Sequence, residues 1–164
     1  MDNLGILKNK ILGRGDLPKR LQQWRDQGFR IVFTNGCFDL LHRGHVEYLS
    51  KAADMGDVLV VGLNTDASVR RLKGPTRPIN KEDDRALLLS ALSFVDAVVL
   101  FGEDTPYELI REIRPDVLVK GADYRREEIV GYDIVTSYGG RVETIPFVDG
   151  YSTTKLINRN LSKC

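Results

Sequence analysis

The sequence predicts an open α/β fold, a parallel sheet with helices on both faces. Two observations carry this reading. Five short runs are dense in β-branched and aliphatic residues, and amphipathic stretches lie between them. A third observation gives the fold a functional side, because the segments that follow several of the runs are polar and contain glycine.

Taken in order, the first fifteen residues, MDNLGILKNKILGRG, read as an N-terminal extension. Residues 30–34 (RIVFT) form the first strand, and 57–64 (DVLVVGLN) the second. DAVVLF at 96–101, DVLVK at 116–120 and RVETIPF at 141–147 complete the set of five. The first four are nearly unbroken apolar runs, as expected of strands covered on both faces. A helix is expected over 44–55, where Val46, Leu49 and Ala53 share a face. In EDDRALLLSALS, at 82–93, the pattern brings Leu88, Leu89 and Leu92 together. The helix PYELIREI begins with Pro106 behind Thr105, a start at which the missing proline N–H costs nothing. A C-terminal helix over 152–164 is led by serine and threonine, which favour the cap position. Strands that alternate with helices imply right-handed crossovers between parallel neighbours. The stretch Lys73-Gly74-Pro75-Thr76-Arg77-Pro78 reads as a flexible basic loop.

A chain of 164 residues suits one domain, spanning 1–164. Lys plus Arg is 24 against 23 for Asp plus Glu, so bulk charge does not point to nucleic acid as a partner. No apolar run is long enough to span a bilayer, and the N-terminus lacks the apolar core and cleavage site of a signal peptide. The cysteines are Cys37 and Cys164, a poor disulfide framework. A cytoplasmic protein without a membrane partner is the expectation.

Ligands of open α/β sheets bind outside the carboxyl ends of the strands. TNGCFD follows the first strand, NTD (64–66) the second, KGADY (120–124) the fourth and DGYSTT (149–154) the fifth. Both histidines of the chain fall in TNGCFDLLHRGH, three positions apart at the start of the helix over 44–55. Residues at that spacing share a helical face, so both imidazoles are placed to meet one ligand. A helix N-terminus offers free N–H groups and partial positive charge, which favour phosphate. Gly44, and Gly36 in the first turn, leave room for phosphate against the backbone. On residues alone, alternatives stay open. The HxGH pattern can be a plain helix start, Cys37 can pair with a histidine as a nucleophile, and Cys37, His42 and His45 are an incomplete zinc set.

The pattern strand–TNGCFD–LLHRGH–helix resembles the signature of the HxGH nucleotidyltransferase superfamily. The resemblance covers nearly the whole chain, with VVGLNTDASVRRLKGPTRPIN, EDDR, VDAVVLF, VLVKGADY and GYSTTKLI following in order. It is strongest to the adenylyltransferases for D-glycero-β-D-manno-heptose 1-phosphate, in a stand-alone form without the sugar kinase to which many are fused. The resemblance implies a Rossmann-like five-stranded sheet, ATP as substrate with Mg²⁺, a sugar 1-phosphate as acceptor, and ADP-heptose and pyrophosphate as products. It implies catalytic parts for His42, His45 and Lys73. Thr34 and Asn35 would contact phosphate at the strand end, Phe38 would lend backbone donors, and Asp39 would lie near nucleotide and metal. Asn64 and Asp66 would join the nucleotide site, Lys73 and Arg77 would clamp phosphates, and Arg85 would be presented to the nucleotide. Lys120, Gly121 and Asp123 would form the adenosine-side loop, and Ser152, Thr153 and Thr154 would hold the β- and γ-phosphates. Structural alternatives exist for several of these. Asp39 can cap a turn, Arg85 can pair with Glu82 or Asp83 on a helix surface, and the serine and threonines can simply cap a helix. Relatives of this kind are often oligomers, so a homodimer is implied. A cytidylyltransferase acting on glycerol 3-phosphate or ethanolamine phosphate has the same fold and stays open, as does a non-catalytic nucleotide-binding module.

Overall fold

The computed structural model describes residues 1–121 and 123–161, the last two without their side chains. Ala122 and the end of the expected C-terminal helix, 162–164, lie outside the described residues.

The sheet is parallel throughout and contains six strands among the described residues, where the sequence suggested five. They are β1 (Ile11–Leu12), β2 (Ile31–Gly36), β3 (Val58–Asn64), β4 (Ala97–Phe101), β5 (Val117–Gly121) and β6 (Arg141–Ile145). Their order is β1-β4-β3-β2-β5-β6. The added strand, β1, lies in the segment read as an extension and pairs Ile11 with Val98 and Leu12 with Val99. Two residues are too few to show a period, so only its edge pairing defines it.

Among the described residues there are eight α-helices: α1 (Asn3–Lys8), α2 (Leu17–Asp26), α3 (Arg43–Ala53), α4 (Asp66–Lys73), α5 (Glu82–Ser90), α6 (Tyr107–Ile113), α7 (Tyr132–Ser137) and α8 (Thr153–Leu161). Strand side chains alternate between the two layers, as pleating requires. Ile31, Phe33, Val58, Val60 and Val99 pack with Leu17, Leu21 and Trp24 of α2 and Leu109, Ile110 and Ile113 of α6. Val32, Leu59, Val61, Leu63 and Val98 face the other way, onto Leu49 and Ala52 of α3 and Ala86 and Leu89 of α5. Burial on both faces is why these strands read as unbroken apolar runs. One expected contact shifts, because Leu88 of α5 is 46% exposed while Ala86 and Leu89 point inward.

The topology fixes where a ligand can enter. From β2 the chain steps outward to β3 and β4, then crosses back to lay β5 on the other side of β2. This is a topological switch point, and crevices open there at the carboxyl ends of the strands. Pairing between β2 and β5 spans only Val32 with Val117 and Phe33 with Leu118. Beyond it Thr34–Gly36 of β2 and Val119–Gly121 of β5 diverge, while β2 stays paired with β3 to its end at Gly36.

Candidate active site

β2 leads into a turn through Phe38, whose φ of 43° is left-handed, an uncommon backbone for a bulky residue. The turn delivers His42 as the N-cap of α3, with extended backbone (φ −138°, ψ 172°). Its Nδ1 accepts the N–H of His45 at 3.4 Å. His42 therefore stands at the helix cap and not within the helix, yet both imidazoles still face one cavity. They stack, with centroids 3.7 Å apart and planes 20° from parallel. Because Nδ1 of His42 accepts, its neutral ring carries the proton on Nε2 and can donate from there.

Stacking at this distance suits neutral rings. Burial pulls the His45 pKa down to about 4, the charges of His42 and Lys73 add to the effect, and a backbone hydrogen bond with Leu40 opposes it. Burial also lowers His42. Among the described residues, His45 Nδ1 is buried without a hydrogen-bond partner. Gly44 is explained by close approach: a Cβ there would be 2.9 Å from Tyr151 Cβ and 3.0 Å from His42 Cε1.

Around this pair opens a cavity of about 600 Å³. Its wall joins Asn35, Gly36, Phe38, Asp39, His42, Gly44, His45, Lys73, Lys120, Gly121, Ser152, Thr153 and Thr154, all named from the sequence. Cys37, Tyr48 and the strap Phe147–Tyr151 also line it. Tyr48, Phe147 and Val148 were not singled out from the sequence, whereas Asp149–Tyr151 belong to the DGYSTT segment expected at this rim. Lys73 is the last residue of α4 and not part of a loop. Lys120 stands where the strands fork, its Nζ 3.5 Å from Asn35 Oδ1. Desolvation lowers its pKa, with only Cys37 acting the other way. Such an ammonium gains by meeting an anion. Ser152 Oγ accepts the Lys155 N–H at 3.1 Å, so it caps α8.

Six of the expected residues do not line the cavity. Thr34 is fully buried and shares a 2.8 Å hydrogen bond with the Tyr48 hydroxyl. Asn64 donates from Nδ2 to Ser68 Oγ at 2.8 Å. Arg85 corrects one expectation, because it is not paired on the surface with Glu82 or Asp83. It is 1% exposed, and its guanidinium donates to Asn80 O, Cys37 O, Asn64 O and Asp66 Oδ1. Asp66 is thereby committed to Arg85 at 2.8 Å. Arg77 donates from Nε to Asp39 Oδ2 at 2.6 Å. Asp39 also accepts the N–H groups of Ile79 at 2.7 Å and Asn80 at 3.1 Å. Burial pushes its carboxyl up, but Arg77 and these N–H groups outweigh that and hold it below the usual range. Asp39 thus borders the cavity while its oxygens anchor the 77–80 loop. Asp123 is exposed and outside the wall.

The nucleophile and zinc readings of Cys37 gain no support among the described residues. Burial raises the Cys37 thiol pKa, although Lys73 and Arg85 lower it, so the thiolate is scarce. No group of three or more His, Cys, Asp or Glu among the described residues is arranged to hold a metal ion.

A switch-point cavity with hydrogen-bond donors, lysines and two helix N-termini, but no committed base, suits chemistry at the phosphates of a nucleotide. That is the working arrangement of an α/β nucleotidyltransferase. The chain belongs to the cytidylyltransferase-like family, whose profile matches residues 33–159. It is 59% identical over 155 residues to the bifunctional protein HldE of Syntrophotalea carbinolica, and 57% identical over 155 residues to that of Wolinella succinogenes. Each match covers 94% of this chain and 32% of the relative, so the chain spans about a third of their length. Among solved structures, the lipopolysaccharide core biosynthesis protein from Thermoplasma volcanium GSS1 is 30% identical with a TM-score of 0.62, covering 76% of this chain and 100% of that one. Pantoate-beta-alanine ligase from Francisella tularensis, at 15% identity and a TM-score of 0.57, shares the fold over 92% of this chain and 76% of its own. No helix among the described residues is long and apolar enough to cross a membrane.

Proposed function

We propose that this chain transfers AMP from ATP to D-glycero-β-D-manno-heptose 1-phosphate, giving ADP-heptose and pyrophosphate for lipopolysaccharide core or surface glycan synthesis. The observation that carries the reading is identity of 59% and 57% to bifunctional HldE proteins across 94% of the chain. The likeness to a lipopolysaccharide core biosynthesis protein supports the same chemistry. The reaction belongs in the cytoplasm, where ATP is available, and a homodimer is part of the reading, with the exposed Leu88 offering apolar contact.

A phosphate monoester loses its second proton at a pKa of about 6, so the attacking oxygen is already ionised at neutral pH. No general base is needed. A sugar-phosphate oxygen forms a bond to the α-phosphorus as the bond to the bridging oxygen breaks, and pyrophosphate carries the electron pair away. The site has to align these atoms and meet the growing negative charge. His42 Nε2–H serves as a neutral donor beside His45, whose buried ring is neutral too. Lys73 and Lys120 supply positive charge. The N-termini of α3 and α8 add backbone donors for the β- and γ-phosphates. Lys73 is the better partner for the acceptor phosphate, since Arg77 is neutralised by Asp39. Mg²⁺ enters with ATP as part of the substrate. Phosphates and water are its ligands, in keeping with an Asp39 carboxylate already committed to Arg77, Ile79 and Asn80.

A second reading is favoured by the family itself, described as cytidylyltransferase-like. It would use CTP and an alcohol phosphate such as glycerol 3-phosphate. Pyrophosphate release with both donors and both acceptors decides. ATP with the heptose 1-phosphate should give the highest kcat/KM, because a site bonded to sugar hydroxyls penalises an acceptor that lacks them. A higher value for CTP with glycerol 3-phosphate would replace the substrates and leave the phosphate chemistry standing.

A further inference from the structure

Four aromatic residues, apart from the histidines, line the cavity: Phe38, Tyr48, Phe147 and Tyr151. Three have partners. Phe38 meets His45 edge-on at 5.1 Å, and the Tyr48 hydroxyl is bonded to Thr34. Tyr151 lies over His42 at 6.4 Å, with the Arg43 guanidinium 5.7 Å from its ring. Phe147 has no ring or cation partner among the described residues and is 58% exposed.

Its ring is nevertheless seated. It rests on Gly121, the last residue of β5, where any Cβ would run into the ring atoms. The absent side chain gives the phenyl face a backbone floor. That floor belongs to β5, whereas the histidine pair follows β2, and the fork between the two strands separates them. The histidines, Lys73 and Lys120 account for the part of the wall suited to phosphate. One open apolar plane is left in the same cavity.

We infer that Phe147 is the platform on which the base of the nucleotide donor stacks. The inference rests on the reading that the cavity takes a nucleoside triphosphate with its adenosine toward Gly121, and it adds the side chain on which the base lies. A nucleobase presents a flat π-face, and stacking on an aromatic ring does not depend on which base it is. The platform therefore supplies affinity, and the choice of base is left to hydrogen bonds at its edge.

The test compares ATP with inorganic tripolyphosphate, which has the phosphates and no base. In wild-type protein, ATP should bind more tightly than tripolyphosphate. Phe147→Ala should weaken ATP by roughly 5- to 150-fold, the range for loss of one base–aromatic stack, and leave tripolyphosphate unchanged. Phe147→Trp should keep the ATP affinity, and its indole emission should change with ATP and not with tripolyphosphate. Trp24 is 7% exposed in the core and gives the constant background, measured in wild-type protein. Equal losses for both ligands in Phe147→Ala, or indole emission indifferent to ATP, would overturn the platform. If wild-type protein binds tripolyphosphate as tightly as ATP, the platform falls and the phosphate site stands. If it binds neither, the nucleotide reading falls as well.

Discussion

His45 shows how burial sets chemistry at one residue. Its pKa of about 4 in the folded protein lies below the ordinary 6.5, chiefly because the ring is desolvated. The unfolded chain then binds the proton more readily, so this group's contribution to stability falls as pH drops from 6.5 toward 4 and is level outside that window. The full difference is on the order of 3 kcal/mol. Urea unfolding across the window, on wild-type protein and His45→Gln, isolates the effect from carboxylates that titrate nearby. The variant should lose less stability on acidification, and parallel curves would exclude His45 as the cause. For catalysis, His42→Ala or His45→Ala should lower kcat by about 10²–10³, as for loss of one donor to developing charge. A raised KM with kcat intact would mean that the pair only binds the ground state. The histidines were legible in the sequence because both lie within a single motif. Arg77 and Arg85 were not. Their partners, Asp39 for one and Cys37, Asn64, Asp66 and Asn80 for the other, come from segments that only the folded sheet brings together.

At the scale of elements, the start of α3 and the strap behind it act as one unit. Gly44 is in the first turn of α3, where alanine would ordinarily stabilise a helix by about 1 kcal/mol. The added Cβ would instead meet Tyr151 Cβ at 2.9 Å and the His42 ring at 3.0 Å. The two effects oppose each other, so Gly44→Ala should change stability by no more than about 1 kcal/mol. The displaced His42 ring should still lower kcat by about tenfold or more, since catalytic donors tolerate little misplacement. Denaturant midpoints and kcat on the same preparation test this, and unchanged turnover would separate the strap from the histidine pair. The helix itself was visible in its apolar spacing. Helix α4, by contrast, ends in the basic stretch read as loop, and its only inward apolar residue among those buried is Val69. With one such anchor there is no period to read.

For the whole molecule, the identity of β2 to β6 and their parallel direction follow from composition and from the helices between them, but β1 and the strand order do not. Nothing local says that β5 returns to the far side of β2; that is settled by long-range pairing such as Val32 with Val117. The crevice is a product of that order. Its wall draws on β2, the start of α3, the end of α4, β5 and the 147–154 segment. A ligand that needs all of these binds only the folded chain. ATP at about 100 times its Kd should therefore add about 2.7 kcal/mol of stability. For a chain of this size that raises Tm by roughly 5–10 °C. Because the wall spans the sheet, melting in the presence of ATP should remain one cooperative transition, displaced as a unit. Calorimetry with and without ATP reads both features. A trace that splits, with only part of the heat moving, would mean that the walls of the cavity unfold independently.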